Sequence, residues 1–396
     1  MRNPKIITEH WGKIDPLKIE DYLNVGGYAA LKKFIAKMDP QKALDEVKIS
    51  GLSGKGGAGF LTGAKWEIVA KQKGEKYFIC NLDESEPGTY KDRLIAENNP
   101  QILLEGIILA ALTVGAKKSY IYLNGNFEKA REILERAIEQ AKENKFLGSK
   151  ILGSKYLLEI EIFSGAGAYI CGEETALINS IEGNRGEPKI RPPYPTEAGL
   201  FGKPTVVNNA ETIANVPWII QNGGGRYSEC ATKLFVLGGA VKKRGVAEAP
   251  IGTTMKKAIE ELGGGMQRGK DFWFAQVGGA AGRLYLEKEL DAPITGSGAI
   301  LVVDKTANLY DLLLSWTGFF RRESCGKCVP CREGTFRLNE IVERLADGEI
   351  SDRDKEAMLD ILWTLENTTF CPLGKFAATA VRDAVDKLGV VSTNYE

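Results

Sequence analysis

From residue 49 to about 230, short apolar runs alternate with longer stretches whose apolar positions recur every three or four residues. The runs "KYFICNL", "SYIYLNG" and "YLLEIEIF" read as strands and "NFEKAREILERAIEQAKEN" as an amphipathic helix, an alternation that predicts an α/β layer with a mainly parallel sheet. "ILLEGIILAALTVGA" is too short to span a bilayer and is interrupted by Glu105, so it reads as a buried helix. Ahead of this layer, "DYLNVGGYAALKKFIAKM" has helical spacing and predicts a peripheral helical arm over residues 1–48. Residues 231–304 change character: "KLFVLGG", "FWFAQVGG" and "AILVVD" predict a small sheet, crossed by one helix carrying Met255, Ile259 and Leu262. Over residues 305–396 the period is helical, with stripes at Leu309, Leu312, Leu313 and Trp316 and at Met358, Leu362 and Leu365. Ser351 and Asp354 have capping-box spacing there.

Composition narrows the chemistry. Lys plus Arg and Asp plus Glu each number 52, so no basic field awaits nucleic acid. The N-terminus shows no secretory pattern, which predicts a cytoplasmic address and reduced thiols. His10 is the only histidine, so a Ser-His-Asp relay, a Cys-His pair or a His-rich zinc site would all hang on one residue.

Three of the seven cysteines, Cys325, Cys328 and Cys331, crowd into "ESCGKCVPCREGT", in what reads as a turn between helices. CxxCxxC spacing lets one loop wrap a small inorganic core, and Cys371 in "TTFCPLGK", followed by proline, is the candidate fourth ligand. A four-iron, four-sulfur cluster suits this pattern; structural zinc and free thiols are the alternatives. Cys80, Cys171 and Cys230 stand singly and read as packing residues.

"GLSGKGGAGFLTGAKW" contains GxGxxG at Gly54, Gly56 and Gly59, ahead of a helical run. Glycines admit backbone amides to a phosphate, and Lys55 and Lys65 add charge. No apolar strand precedes it and no Walker register fits, so it is not a standard dinucleotide fingerprint. "CNLDESEPGTYKDR" places Asn81, Asp83, Glu84 and Glu86 just after a strand. "GAGAYICGEETALINS" opens a helix with Glu173 and Glu174, "RPPYP" offers Arg191 and Tyr194, and "KPTVVNNAET" offers Asn208, Asn209 and Thr212. Adjacent helical carboxylates diverge by about 100° and cannot flank one bond, so paired acid-base hydrolysis is disfavoured. Amides that both donate and accept suit a flat heterocycle, and hydride transfer needs positioning more than a protein acid or base.

These blocks, in this order, resemble the family of flavin-bearing, NADH-oxidising 51-kilodalton subunits of complex I. That family is shared with diaphorase subunits of soluble hydrogenases and formate dehydrogenases, and the resemblance covers about residues 20–385. It implies an atypical Rossmann-like FMN domain (49–230), a ubiquitin-like β-grasp domain (231–304) and a helical bundle with one 4Fe-4S cluster (305–396). It implies that FMN is held by Gly54, Gly56, Lys65, Asn81, Asp83, Tyr169, Gly172, Glu173, Asn208 and Asn209, with Lys55, Gly57, Gly59, Arg191 and Thr212 as further cofactor-binding positions. Phe60 and Tyr194 would flank the adenine of NADH, and Glu84 and Glu86 would read its ribose and nicotinamide amide. Glu86 and Glu174 would lie nearest the chemistry. Lys55 stands where arginine is usual, Leu61 where proline is, and Ile68 where some members carry an aromatic.

The resemblance further implies that NADH gives hydride to FMN and that electrons leave singly through the cluster. The recipients would be a thioredoxin-like 2Fe-2S subunit and a further iron-sulfur subunit, without membrane insertion or nucleic acid. Such a module also serves soluble hydrogenases, formate dehydrogenases and electron-bifurcating NAD(P)/ferredoxin oxidoreductases. The alternative of another class is a zinc-stabilised nucleotide-sensing scaffold.

Overall fold

The computed structural model describes residues 4–391. The chain forms two compact units. The first comprises the described residues up to Ser85, Tyr90–Leu234 and Glu248–Ile251; the second comprises Glu86–Thr89, Phe235–Ala247 and the described residues from Gly252.

The first unit opens with helices α1 (Ile19–Asn24), α2 (Ala29–Lys37), α3 (Pro40–Ile49) and α4 (Thr62–Lys71), followed by strand β1 (Tyr77–Leu82). Helices α5 (Lys91–Asn98) and α6 (Pro100–Val114) lead to β2 (Lys118–Asn124), and α7 (Glu128–Glu143) leads to the short β3 (Gly148–Ser149) and β4 (Leu157–Gly165). Then come α8 (Glu174–Ile181), the single-turn α9 (Pro195–Ala198), β5 (Thr205–Asn209), and α10 (Ala210–Ala214), α11 (Val216–Asn222) and α12 (Gly224–Cys230). The sheet order is β3-β4-β2-β1-β5, parallel except for the β3-β4 pair. Successive strands step outward from β1 on one side through β2 to β4, and the chain then crosses to add β5 on the other side. The crevice between the carboxyl ends of β1 and β5 is therefore a topological switch point, the place where open α/β sheets receive ligands.

Every residue of α6 is buried, as its unbroken apolar run predicts. Its one acid, Glu105, explains why the N-terminal helices are not the peripheral arm expected. The Glu105 carboxylate accepts hydrogen bonds from Tyr22 Oη–H at 2.7 Å, the Tyr28 amide at 2.9 Å and the Leu31 amide at 3.0 Å. Helices α2 and α3 pack on α6, so residues 19–49 belong to the core of this unit.

In the second unit, β6 (Thr232–Gly239) and β7 (Gly245–Pro250), which begin and end in the first, join β8 (Phe272–Val277), β9 (Arg283–Leu286) and β10 (Ala299–Asp304). The sheet order is β7-β6-β10-β8-β9, with β10 parallel to β6 and antiparallel to β8. Between β7 and β8 lies the expected single helix, α13 (Met255–Lys257), continued by a π-helical turn to Leu262. Helices α14 (Leu309–Glu323), α15 (Val329–Ala346), α16 (Asp352–Thr368) and α17 (Pro372–Leu388) each pack on the next, and α17 returns to α14 to close a four-helix bundle. Ser351 and Asp354 form the capping box read from their spacing.

Glu105→Ala strands three buried donors and is expected to lower unfolding stability by about 3 kcal/mol. Denaturant titration of the variant against wild type measures this directly.

Candidate functional site

The expected site residues of the first unit gather around the carboxyl ends of β1 and β5, whose Asn81 and Asn209 are register partners. Above them the glycine loop is pinned at its base by the Ser53–Leu61 bridge and by the Gly54 amide donating to Phe60 O at 2.9 Å. A Cβ added at Gly56 would lie 3.2 Å from Asn209 Cβ, a tight contact that would press on Asn209, so glycine lets the loop lie close to the end of β5.

The side chains lining this place use specific partners. Asn81 Nδ2 donates to Gly172 O at 3.0 Å and its Oδ1 accepts from the Asp83 amide; Asp83 Oδ1 accepts from Ser85 Oγ–H. Asn208 Oδ1 accepts from Trp66 Nε1 at 2.8 Å. Lys65 Nζ donates to Glu174 at 3.0 Å and Val207 O at 3.2 Å, and Arg191 Nη1 pairs with Glu174 at 3.3 Å. Tyr169 and Gly172 bound a 3₁₀ turn, and Glu173, the N-cap of α8, accepts from the Thr175 and Ala176 amides. Phe60 and Tyr194 are about half exposed, with rings free of the core.

Three expected contacts turn out otherwise. Lys55 is buried: its amide donates to Thr212 Oγ1 and its Nζ to Thr232 O, so its ammonium lies among interior groups instead of offering surface charge to a phosphate. Burial lowers its pKa, with Glu211 opposing. Glu84 is also buried, and both its oxygens accept from the Asp92 amide and one from the Arg93 amide at the start of α5. It caps a helix where a ribose contact was expected, because a carboxylate beside a helix N-terminus meets orphan amides before any ligand. Asn209 has both amide atoms engaged by the protein, Nδ2 donating to Asp92 and Oδ1 accepting from the Glu211 amide. Glu86 lies in the segment that packs with the second unit, where its Oε1 accepts from the Ala281 amide at 3.0 Å.

Beneath the loop lies a charged cluster that motif spacing did not reveal. Lys91 Nζ is fully buried and reaches Asp92 Oδ1 and Glu211 Oε2, each at 2.8 Å. Burial alone would lower its pKa, but Asp92, Glu211 and Glu84 raise it above the ordinary lysine range. Lys233, also buried, is lowered to about 8 by desolvation. The signal was present in "YKDR", four polar residues that open a helix whose apolar side must face inward.

In the second unit Cys325 lies between α14 and α15, Cys328 is the N-cap of α15, Cys331 sits in its first turn, and Cys371 is the N-cap of α17. Cys331 is thus helical, not in the turn expected. Helix N-termini favour thiolates, and Pro330 and Pro372 fit first-turn positions that lack amide partners. Burial pushes the Cys331 thiol up to about 12, opposed by Ser324, whose Oγ lies 3.3 Å from its sulfur, while Cys328, Cys371 and Cys325 add to the rise. Among the described residues no three His, Cys, Asp or Glu side chains converge on a single metal ion, so the fit is judged on the donor set. Four cysteines, three of which act on Cys331 and two of which are helix caps, fit a thiolate-bound iron-sulfur core. Sequence reading had missed Ser324, although it directly precedes Cys325.

Comparison with known proteins finds three family matches along the chain. Residues 47–218 match the Nuo51 FMN-binding domain, 233–283 the SLBB domain, and 311–389 the NADH-ubiquinone oxidoreductase-F iron-sulfur binding region. The chain is 43% identical over 382 residues to the F subunit of the NADH-quinone oxidoreductase of Aquifex aeolicus, covering 93% of this chain and 89% of the relative. It is 38% identical to the NADP-reducing hydrogenase subunit HndC of Solidesulfovibrio fructosivorans, covering 96% of this chain and 81% of the relative. Its structure is similar to a chain of an NAD+-reducing [NiFe]-hydrogenase in the air-oxidised state, with TM-score 0.85 and 33% identity. The match covers 94% of this chain and 65% of the hydrogenase chain, so the chain spans about two thirds of that relative.

Burial, and next to it Asp92, pushes the Glu84 carboxyl up to about 8, and Lys91 with the two amides offsets only part of this. The folded state therefore holds a proton that the unfolded chain releases near the ordinary glutamate value of about 4.3. The resulting stability is present at low pH and is lost as pH rises through about 8. Unfolding midpoints measured from pH 5 to 9 are expected to fall for wild type and to flatten in Glu84→Gln.

Proposed function

This chain belongs to the Complex1_51K family, and we propose that it is the electron-entry subunit of a larger redox complex, oxidising NADH and passing electrons on singly. Its cofactors are FMN and one 4Fe-4S cluster. The observation that carries the reading is the convergence, within the stretch matching the FMN-binding domain, of the glycine loop, Asn81, Asn208, Lys65 and Glu174 at the switch point of the sheet.

The crevice fits a flavin mononucleotide in kind. Gly56 makes room beside Asn209, glycines in the loop would let backbone amides approach a phosphate, and Lys65 lies beside Glu174. When bound, FMN supplies a ring that accepts hydride and yields its electrons one at a time. The protein's part is placement. Phe60 and Tyr194 offer two exposed aromatic faces to an adenine, and the Lys65–Glu174–Arg191 chain holds the carboxylate of Glu174 in one orientation for the dinucleotide. Cys325, Cys328, Cys331 and Cys371 would hold the cluster, with Ser324 Oγ 3.3 Å from the sulfur of Cys331.

The domain arrangement supports the same reading: a Rossmann-like layer, a β-grasp-like sheet and a cluster-bearing bundle, as the order of family matches suggests. The recipients of the electrons would be a thioredoxin-like 2Fe-2S subunit and a further iron-sulfur subunit. None of the described helices is long and apolar enough to cross a membrane, so any approach to one would be through partners.

An anaerobic visible spectrum of the purified chain is expected to show flavin bands on an iron-sulfur background that bleach with NADH. Absence of both chromophores after reconstitution would refute the reading. Cys371→Ser should lower bound iron and sulfide by more than half while FMN stays bound, as elemental analysis and flavin fluorescence would show. The Glu174 carboxylate, held by Lys65 and Arg191, would oppose a 2′-phosphate, so kcat/KM for NADH should exceed that for NADPH at least tenfold. Equal specificity constants in steady-state turnover would contradict this.

A further inference from the structure

Asp92 is buried and is not itself an expected ligand position, yet its carboxylate is the hub of the site's underside. Its Oδ1 accepts from Lys91 Nζ at 2.8 Å and from the Glu211 amide at 3.2 Å, and its Oδ2 accepts from Asn209 Nδ2 at 2.6 Å. Asn209 Oδ1 accepts from the Glu211 amide at 3.0 Å. Only one orientation of the Asn209 amide satisfies both neighbours: a flipped amide would set NH₂ against the Glu211 N–H and an oxygen against a carboxylate. The backbone of Gly56 lies against this side chain, close enough that an added Cβ would come within 3.2 Å of Asn209 Cβ.

We propose that Asp92 is a positioning residue for the flavin crevice: it locks the Asn209 amide, and the locked side chain is the wall against which the glycine loop closes at Gly56. The inference rests on FMN occupying that crevice. Asp92 acts through Asn209 and touches no reacting atom.

The hydrogen-bond chemistry makes a reciprocal exchange diagnostic. In Asp92→Asn the new NH₂ faces the Asn209 NH₂, and flipping either amide only moves the clash to another donor. In Asn209→Asp two carboxylates face each other. In the double exchange, Asn at 92 keeps an oxygen for Lys91 and the Glu211 amide and donates its NH₂ to Asp at 209, which still accepts from Glu211, so every donor again meets an acceptor.

The test is FMN titration of the full-length chain in four forms, following flavin fluorescence, with apo-protein melting recorded in parallel. Each single variant is expected to raise the Kd for FMN at least tenfold, and the double exchange to return it to within threefold of wild type. A merely structural Asp92 would lower the melting midpoint and leave the Kd of the folded protein unchanged; that result, or a folded double variant still tenfold weaker than wild type, overturns the proposal. If Asp92→Asn does not fold, the double exchange decides alone: recovery of folding and of FMN affinity supports the proposal, and failure of either refutes it. Wild-type protein that binds no FMN would overturn the functional reading and the proposal together. Tight wild-type binding with an unaltered Asp92→Asn would overturn the proposal only.

Discussion

The ammonium of Lys91 is the constraint around which the first unit is arranged. A buried cation survives only when paired, and this one lies between Asp92 at the start of α5 and Glu211 on α10. Glu211 also accepts from the Leu234 amide at the start of β6, and Asp92 reaches Asn209 at the end of β5. One charge thereby ties two helices and the ends of two strands beneath the glycine loop. Replacing such a cluster by apolar groups could leave stability intact, so what it contributes is a single arrangement of the crevice floor.

The same economy of polar groups recurs at Glu105. A carboxylate in an otherwise apolar helix is costly unless its oxygens are filled, and the N-terminal helices supply the donors. It places residues 19–49 in the core, so the crevice stands on a frame that includes the segment preceding the glycine loop.

Much of this was legible in the sequence because it depends on period and spacing. The alternating runs gave β1, β2, β4, β6, β8 and β10 where they were expected, and "ILLEGIILAALTVGA" became a wholly buried helix. Gly63, early in α4, stands where packing requires it: a Cβ there would come within 2.8 Å of Lys48 Cα on α3. What spacing could not reveal was the destination of polar side chains. Glu84, Lys55 and Asn209 were chosen because their chemistry suits a ligand, yet that chemistry equally suits orphan amides and buried counter-charges, and only three-dimensional proximity decides. Glu105 was read as an interruption of an apolar run, with nothing in the sequence to say which donors would come to it.

The two helix starts in the bundle carry a consequence for how the bundle is held together. Neither Cys328 nor Cys371 makes the side-chain hydrogen bond that ordinarily closes a helix N-terminus. If their sulfurs hold the proposed inorganic core, that core would also serve as the terminal fastening of α15 and α17. Loss of the cluster would then leave the starts of two bundle helices without a fastening, so the cofactor and the packing of the bundle would be lost together.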